Sequence, residues 1–575
     1  MKPSAIHVLF ISITCWTIQI FCFRVNVPQV ITSLGKIKGY LKVSHEQRYY
    51  EAFEGIPYAL PPTNELRFQP PLPVEPWEAE LDATSKKSDC IQYDHKNDVL
   101  TGVEDCLYLN IYRPVLKTTS LLPVLLWIHG GGFQYGTSTV VTKYIMDRDL
   151  ILVSISYRLG PFGFLSTGDD LIPGNMGLKD QNLALRWTSE HIHRFGGDPK
   201  RISLLGVSAG ASSVHYHYLS PSSAGLFRNG VSFSGTALSS WAYSKNPREG
   251  LDKLTRIVCK ESGDSIVDVI DCLKRMPADQ LNNAAKDLLV SKFLEGFQGK
   301  KFGGSLEIVS YLTDKKAEYL SIGVITPSFK PVAERIESDY FINRSPEEIL
   351  NDKVYDVPWI TGVTSEEGIF FTAGFVLNDT SMSFVDKNWD TVGPYLMQFE
   401  DKISADEFTH AASVSRRRYL GDRVMKIEND TTWLLTYLVG DKVVTFDSQK
   451  AARLQAKVNR SPVRFFYYNY RAIHSLSDEL TNTTINFGVC HADDVYLLLE
   501  DNNIIIEVDG PMLNKMMDFW YSVAATGEPD LGVKWLRVHP TTRELHYLHF
   551  MGPESFIPRQ SDDLGQKKFW ESIGF

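Results

Sequence analysis

The first half of the 575-residue chain alternates short apolar segments with longer amphipathic ones. Residues 107–112, 124–129 and 151–157 are short, apolar and bounded by turn residues, which is typical of buried strands. Residues 178–195 carry apolar side chains seven apart, as on one face of a helix, and 202–205 predict a further strand. This alternation predicts an α/β fold: a large, mostly parallel central sheet with helices on both faces and long loop insertions.

The length would allow roughly three or four average domains, but no linker, repeat or low-complexity tract follows residue 25. We therefore expect residues 24–575 to form a single domain. Hydrophobic residues make up 43% of the chain and charged residues 22%, which excludes a disordered or collagen-like protein. The formal net charge is −10 and no dense Lys/Arg cluster occurs, so nucleic acid is not expected as a partner.

Residues 1–23 have the pattern of a secretory signal peptide. Lys2 precedes an apolar stretch over 5–23, and five polar residues interrupt that stretch, which weakens the alternative of an uncleaved membrane anchor. No later segment is long and apolar enough to cross a membrane, and the C-terminus carries no retention or lipidation motif. We expect cleavage near residues 20–25 and a secreted, extracellular protein without membrane contact once the signal is removed.

Two further features agree with secretion. The Asn-x-Ser/Thr triplet that accepts N-linked glycans occurs at Asn343, Asn378, Asn429, Asn459 and Asn482. Removal of the signal leaves five cysteines, of which four form two pairs close in sequence, and in an oxidising compartment each pair would close a loop of about 15 residues. The fifth, Cys490, is expected to be a buried thiol that packs as a small hydrophobic side chain.

A Gly-x-Ser-x-Gly pentapeptide follows the predicted strand at 202–205 and precedes a helix-like segment from Ala211. In Gly206-Val207-Ser208-Ala209-Gly210 the serine would occupy a sharp strand-to-helix turn that points its hydroxyl away from the sheet. The N-terminus of the following helix stabilises negative charge near the serine. The pentapeptide alone is a weak motif, but this context predicts Ser208 as a nucleophile rather than an ordinary glycine turn.

Three consecutive glycines follow the predicted strand at 124–129, in His129-Gly130-Gly131-Gly132-Phe133. Glycines have no side chains to block their amides, so their N–H groups can point toward a ligand oxygen. Acyl transfer places negative charge on the carbonyl oxygen, and fixed N–H donors stabilise that charge by roughly 3–4 kcal/mol. The alternative is a plain flexible loop. Because the residue after the nucleophile supplies a further donor, we predict an oxyanion hole of Gly131, Gly132 and Ala209.

A serine hydroxyl needs a base to accept its proton and an acid to orient that base. Where the nucleophilic serine lies on a strand-to-helix turn of this kind, the order along the chain is serine, then acid, then histidine. Among the late histidines, His491 lies in a loop before the apolar segment 495–499, where an imidazole can face a pocket. His546 and His549 lie three apart on a strand-like segment, which places them on opposite faces and predicts structural roles.

The acid is less clear from the residues alone. The predicted strand at 357–363 ends just before Glu366 and Glu367, and local chemistry does not distinguish the two. The sequence contains no Cys-x-x-Cys or His-Glu-x-x-His motif, and the pairs His191/His193 and His215/His217 lie on helix-like segments where they face different directions. We expect no metal and no cofactor.

Taken in order, these motifs resemble the carboxylesterase/cholinesterase (type-B carboxylesterase) family of α/β-hydrolases, and most closely the insect general carboxylesterases. The resemblance covers essentially the whole chain after the signal. Its further matching stretches are FEGIPYA at 53–59, EDCLYLN at 104–110, GNMGLKDQ at 174–181, FGGDP at 195–199, GVCHADD at 488–494 and TGEP at 526–529.

The resemblance implies an α/β-hydrolase fold and assigns several residues. The family's acid is the glutamate directly before the glycine, which here is Glu367. Its disulfides correspond to Cys90–Cys106 and Cys259–Cys272. Trp241 matches the aromatic residue that borders the family's acyl pocket.

The chain departs from the family pattern at two places, and both reduce the range of substrates that the resemblance implies. Val207 stands where cholinesterases have Glu and many juvenile hormone esterases have Gln. The segment between Cys90 and Cys106 lacks the tryptophan that would bind choline through a cation–π contact. Both observations argue against acetylcholine, and the first disfavours juvenile hormone.

The resemblance therefore implies a secreted serine carboxylesterase that hydrolyses small-molecule carboxylic esters through an acyl-enzyme. One alternative is an esterase that mainly sequesters its ester or is specific for a hormone or odorant. Another is a non-catalytic adhesion relative, which would typically lack part of the triad that is complete here. The sequence does not indicate the physiological ester or the oligomeric state.

Overall fold

The computed structural model describes residues 27–575 except 95, 96, 98, 116–119, 262, 264, 296–327, 401, 428–429 and 500–505. The expected signal peptide at 1–23 and the candidate glycosylation site Asn429 lie outside the described residues. The strands are β1 (Gln29–Thr32), β2 (Gly35–Lys38), β3 (Tyr40–Val43), β4 (Tyr49–Pro57), β5 (Leu81–Asp82), β6 (Gln92–Asp94), β7 (Val99–Thr101), β8 (Tyr108–Pro114), β9 (Leu122–Ile128), β10 (Ile151–Ile155), β11 (Gly197–Val207), β12 (Asn229–Phe233), β13 (Trp359–Thr364), β14 (Val463–Tyr468), β15 (Leu545–Gly552) and β16 (Ser555–Ser561).

Eleven strands form one sheet, in the order β16-β15-β14-β13-β12-β11-β9-β10-β8-β4-β3. From β15 to β10 in this order all neighbours pair parallel. Both margins of the sheet are antiparallel. The predicted α/β architecture with a mostly parallel sheet is therefore confirmed. The antiparallel margins and the two small sheets, β1-β2-β5 and β6-β7, were not predicted, because they depend on pairing between distant segments.

The α-helices of the described residues are α1 (Gly160–Phe164), α2 (Met176–His191), α3 (Ala209–Leu219), α4 (Glu249–Val258), α5 (Ile266–Arg275), α6 (Ala278–Glu295), α7 (Pro346–Leu350), α8 (Ile369–Val376), α9 (Asp379–Lys387), α10 (Trp389–Leu396), α11 (Phe408–Tyr419), α12 (Thr431–Gly440), α13 (Phe446–Val458), α14 (Leu476–Thr481), α15 (Asp493–Leu499), α16 (Ile506–Thr526) and α17 (Lys567–Ser572). No described helix is long and apolar enough to span a bilayer.

Helices cover both faces of the sheet. Side chains alternate between the two faces of a strand, and along β9 Leu126 and Ile128 belong to one buried cluster whereas Leu125 and Trp127 belong to another. The first cluster includes apolar residues of α2 and α3, and the second includes those of α16. Because both faces are covered, β10, β12 and β13 are buried at every position, including their Ser, Thr and Asn residues.

Element boundaries differ from the predictions in two places. The predicted helix over 178–195 is α2, which ends at His191 and continues as a 3₁₀ turn over Ile192–Phe195. Gly196, with φ of 83°, then ends the turn. The strand predicted at 202–205 is the longer β11, because Gly197 already pairs with Leu122 ahead of the apolar segment.

Cysteine pairing follows the resemblance: the structure contains the disulfides Cys90–Cys106 and Cys259–Cys272, and Cys490 is a buried free thiol. Burial raises the pKa of that thiol well above its ordinary value.

The four candidate glycosylation sites within the described residues differ in accessibility. Asn343 and Asn482 are exposed. Asn378 is half-buried and its side chain accepts a hydrogen bond from Ser381 N at the start of α9. The Asn459 amide donates to the carbonyl of Val357. Asn343 and Asn482 are thus the more accessible acceptors.

Candidate active site

Ser208 lies in the sharp turn between β11 and α3. Its backbone angles are φ 56° and ψ −120°, which are unfavourable for a residue with a side chain. Two close approaches explain the flanking glycines: a Cβ atom on Gly206 would lie 2.4 Å from the carbonyl carbon of Gly210, and one on Gly210 would lie 2.1 Å from Ile128 O. The predicted strained turn is present, and the surrounding backbone holds it in place.

Hydrogen bonds fix the Ser208 backbone on both sides. Its N–H donates to Phe233 O at the end of β12 (2.8 Å), and its carbonyl accepts from Ser212 N in α3 (2.9 Å). Ala209 is the first residue of α3, where an N–H group has no partner within the helix. Among the residues described, that N–H donates to no protein acceptor, so it can bind a ligand atom beside the serine.

The glycine loop, residues 130–136, follows β9 and lies directly against the serine turn. A Cβ atom on Gly130 would be 3.1 Å from Ser208 Cβ. Gly131 and Gly132 have φ of 106° and 59°, and the Gly131 carbonyl accepts from Gln134 N and Tyr135 N at 2.9 and 3.1 Å. Within the described part of the chain, the N–H groups of Gly131 and Gly132 donate to no protein acceptor. The loop thus uses its carbonyl groups internally and leaves amides available.

His491 and Glu367 form a buried pair. The distance from His491 Nδ1 to Glu367 Oε2 is 2.6 Å, and the two residues are 2% and 1% exposed. The other oxygen, Glu367 Oε1, accepts from Ser234 Oγ (2.6 Å) and from Thr364 N (2.7 Å). Since Nδ1 is hydrogen-bonded to the carboxylate, Nε2 is the imidazole nitrogen that remains available for proton transfer. The sequence analysis missed Ser234, which directly follows β12 and lies 133 residues before Glu367.

The adjacent Glu366 binds the backbone of Val489 instead of the His491 imidazole. Its Oε2 accepts from Val489 N (2.7 Å), and its own N–H donates to Val489 O (3.0 Å). Gly488 must be glycine here, because its φ is 82° and a Cβ atom would lie 2.4 Å from Glu366 Oε2. Glu366 therefore holds the backbone of the segment before His491, whereas Glu367 contacts the imidazole itself.

A cavity of about 540 Å³ lies between the serine turn, the glycine loop and His491. Ser208, His491 and the backbone of Gly131 line it together. Further lining residues form an apolar part, which includes Trp127, Val207, Phe370, Leu476 and Leu480, and a polar part, which includes Asp89, Gln92, Tyr93, Thr137 and Glu479. Ser208, His491 and Gly131 thus face one space whose wall is partly apolar, as small-molecule sites usually are, whereas Gly132 and Ala209 do not line it.

Two aromatic contacts support the glycine loop. Trp241 is buried and its ring lies 6.3 Å from that of Phe133, but Trp241 does not line the cavity described above. His129 stacks on Tyr157 at 4.3 Å, and the Tyr157 hydroxyl donates to His129 O. Burial lowers the pKa of His129 to about 4, so this imidazole is neutral at pH 7 and serves as a packing group.

Two of the late histidines lie outside the cavity. His546 and His549 lie on β15, and His549 packs against Tyr467, away from the cavity residues. Among the described residues, no group of three or more His, Cys, Asp or Glu side chains is arranged to hold a metal ion.

Comparison with known proteins decides the family. The model of the carboxylesterase family matches residues 26–568. The chain belongs to the carboxylesterase family.

Its relatives are similar over almost their full length. The chain is 42% identical to a carboxylic ester hydrolase of Bombus ignitus, over 96% of this chain and 95% of the relative. It is 41% identical to venom carboxylesterase-6 of Apis mellifera, over the same shares. The crystal structure of juvenile hormone esterase from Manduca sexta, with OTFP covalently attached, superimposes with a TM-score of 0.77 at 26% identity and covers 95% of this chain and 99% of that one.

These comparisons confirm the predicted α/β-hydrolase fold and the predicted enzyme class. This carboxylesterase is a serine hydrolase of carboxylic esters, which favours an enzyme over the non-catalytic adhesion relative.

Proposed function

We propose that this carboxylesterase is secreted and hydrolyses small carboxylic esters through an acyl-enzyme formed on Ser208. His491 acts as general base and then as general acid, and Glu367 orients it. The observation that carries this proposal is the 2.6 Å contact of His491 Nδ1 with Glu367, in a cavity that Ser208 and His491 line together. The two disulfides and the exposed Asn343 and Asn482 support secretion.

The acylation step follows from this arrangement. Ser208 Oγ attacks the carbonyl carbon of the ester, and its proton passes to His491 Nε2. The carbonyl π electrons move to the oxygen, which becomes an oxyanion. When the tetrahedral intermediate collapses, the C–O bond to the alcohol breaks and His491 returns the proton to the leaving oxygen. Glu367 stabilises the imidazolium that exists between these two transfers.

Water completes the cycle by the same route. It loses a proton to His491 Nε2, attacks the acyl-enzyme carbonyl, and releases the carboxylic acid as the proton returns to Ser208 Oγ. Gly131, Gly132 and Ala209 supply the N–H groups for the oxyanion in both halves. The buried His129 is neutral at pH 7 and contributes no charge to this stabilisation, which comes from the backbone amides. Trp241 does not line this cavity, and its proposed role is to pack on Phe133 and so support the glycine loop.

The test is Ser208→Ala, measured by hydrolysis of a short-chain 4-nitrophenyl ester and by labelling with a fluorophosphonate. We expect kcat to fall by about 10⁴-fold or more, and labelling to disappear, because the attacking oxygen is gone. Ser203→Ala is the matched control: Ser203 is buried on the same strand β11 and its hydroxyl has no hydrogen-bond partner among the described residues. Turnover retained by pure Ser208→Ala protein would refute the assignment.

The same assay separates turnover from sequestration. An esterase that turns over continues at a steady rate after the first equivalent of 4-nitrophenol. A protein that mainly sequesters esters gives one full burst and then a negligible rate, because its acyl-enzyme is not cleared by water.

A further inference from the structure

One wall of the active-site cavity is built by the disulfide hairpin, which we define as β6, β7 and the flanking residues joined by the Cys90–Cys106 bond. Gln92 of β6 pairs with Thr101 of β7. Asp89, Gln92 and Tyr93 line the same cavity as Ser208. The hairpin is thus anchored covalently at its base and faces the reacting groups.

Gln92 connects this hairpin to the glycine loop. Its Oε1 accepts from Gly136 N (2.7 Å), and its Nε2 donates to Gly136 O (2.8 Å) and to Cys90 O (2.9 Å). Gln92 is 8% exposed, so the three hydrogen bonds are largely shielded from water. Loss of the side-chain amide would leave buried backbone groups without a partner, which destabilises the folded state. One amide side chain therefore fixes both polar groups of the Gly136 backbone and ties them to the disulfide.

Gly136 in turn packs against the start of the glycine loop. A Cβ atom on Gly136 would lie 2.1 Å from His129 Nδ1 and 2.5 Å from Gly130 O. One on Gly131 would lie 1.9 Å from Tyr135 O. The loop is therefore folded back on itself, and residues 135–136 form the surface on which residues 130–131 rest. The position of Gly131 therefore depends on that of residues 135 and 136.

A second contact fastens the same two segments. Thr137 Oγ1 donates to Asp89 Oδ1 at 2.8 Å, one residue beyond Gly136 and one before Cys90. The hairpin thus holds the far end of the glycine loop at two consecutive residues. Glycines make this loop intrinsically mobile, so its fixed geometry depends on such side-chain contacts.

We propose that Gln92 is a positioning residue for the oxyanion hole. It acts through Gly136 on the amides of Gly131 and Gly132 and makes the disulfide hairpin part of the apparatus that stabilises the transition state. This inference rests on the proposed function, because it requires that those amides bind the oxyanion. A positioning role differs from a purely structural one in a measurable way: substitution of Gln92 weakens the stabilisation of the tetrahedral transition state and intermediate and leaves binding of the trigonal ester unchanged.

The test is Gln92→Met, which keeps the length of the side chain and removes all three hydrogen bonds. We expect kcat to fall about tenfold with KM changed less than about twofold, since complete loss of one oxyanion donor costs about 100- to 1000-fold. The Ki of a trifluoromethyl ketone, which forms a tetrahedral adduct with the serine, should rise by the factor by which kcat/KM falls. The Ki of the matching methyl ketone, which binds in the trigonal form, should stay unchanged.

Gln449→Met is the matched control, because Gln449 is also buried and, among the residues that the structure describes, its side chain bonds only within α13, where Oε1 accepts from Arg453 Nε. Both proteins are first titrated with a fluorophosphonate so that rates refer to active enzyme. Gln92→Glu, which keeps the acceptor for Gly136 N and removes both donors, should shift kcat in the same direction and serves if Gln92→Met does not fold.

Three results would overturn the inference: kcat of both Gln92 variants within about twofold of the control, a change confined to KM, or a fall in kcat without weaker trifluoromethyl ketone binding. Failure of the underlying mechanism has a different signature. In that case Ser208→Ala protein would still hydrolyse the ester, and the wild-type enzyme would not be labelled.

Discussion

The turn after β13 carries two consecutive glutamates that serve two different regions of the molecule. Glu367 faces the reacting groups: its oxygens contact His491 Nδ1, Ser234 Oγ and Thr364 N. Glu366 faces the segment before His491, where Oε2 accepts from Val489 N and where it leaves no room for a side chain at Gly488. The same chemical group therefore orients the imidazole at one position and fixes its backbone at the next.

This difference separates two requirements of a catalytic histidine. The ring must be held in the tautomer and charge state that chemistry needs, which demands a carboxylate on Nδ1. The Cα position must also be fixed, and that can be done by any acceptor for the neighbouring amides. Loss of the carboxylate on Nδ1 should abolish proton transfer in a protein that still folds. Loss of the acceptor for the neighbouring amides should lower both the free energy of unfolding and kcat.

The largest effect is expected for Glu367→Gln. The amide preserves the shape but donates where the carboxylate accepted, so the imidazole adopts the wrong tautomer and its charged form is no longer stabilised. We expect kcat to fall by about 10⁴-fold with little change in the melting temperature. Steady-state hydrolysis of a 4-nitrophenyl ester and thermal unfolding measure both. A rate within about tenfold of wild type would show that the acid lies elsewhere.

A smaller effect is expected for Glu366→Leu. The substitution leaves the Val489 amide without its carboxylate acceptor, and a charge-assisted hydrogen bond of this kind contributes roughly 1.5–3 kcal/mol to the free energy of unfolding. We expect that loss in urea denaturation, with a fall in kcat of about tenfold as His491 becomes less well placed. Glu65→Leu on the surface is the control, since the one ion pair of Glu65 within the described part of the chain is an exposed contact with Lys274. A loss of activity as large as that of Glu367→Gln would break the distinction.

The last effect is expected on the pH dependence of stability rather than on kcat and concerns Asp493, which binds the backbone of the His491 segment. Asp493 Oδ2 accepts from Cys490 N (2.8 Å) and Oδ1 from Leu476 N (2.9 Å). Burial raises the pKa of Asp493 from 3.8 to about 7. The folded state therefore binds this proton more tightly than the unfolded state, so the stabilising contribution is complete below about pH 3.8 and is lost as the pH rises to about 7.

Asp493→Asn removes this titration. The free energy of unfolding of the wild type relative to the variant should decrease with rising pH across that window, by at most about 1.4 kcal/mol per pH unit. Urea denaturation of both proteins at about pH 5 and about pH 7 checks the sign. A difference that is constant or grows with pH contradicts a raised pKa for Asp493.

Several parts of the site follow from local sequence. The serine turn is identified by glycines two residues before and after Ser208, because strand, turn and helix are consecutive there. The glycine loop and His491 are likewise next to recognisable strands or helices. Their arrangement at one edge of the sheet follows from the parallel order, because the carboxyl ends of β9, β11 and β13 lie at the same edge.

Other parts could not be obtained in this way. Local chemistry left Glu366 and Glu367 equivalent, and the resemblance to a family was needed to select Glu367. Their real difference lies in partners more than 120 residues away, at His491, Val489 and Ser234. Gln92 was not singled out at all, since a lone glutamine in a hairpin carries no motif and its partner Gly136 is 44 residues away.

The sequence by itself thus determined the strands and the helix next to the site, the sharp turn at Ser208 and the glycine loop, because these depend on residues adjacent along the chain. Only the tertiary structure decided which carboxylate meets the imidazole and what holds the glycine loop in place. Hydrogen bonds of this kind depend on distances between separate strands and loops. Those distances are set by the packing of the whole sheet, which no short stretch of residues encodes.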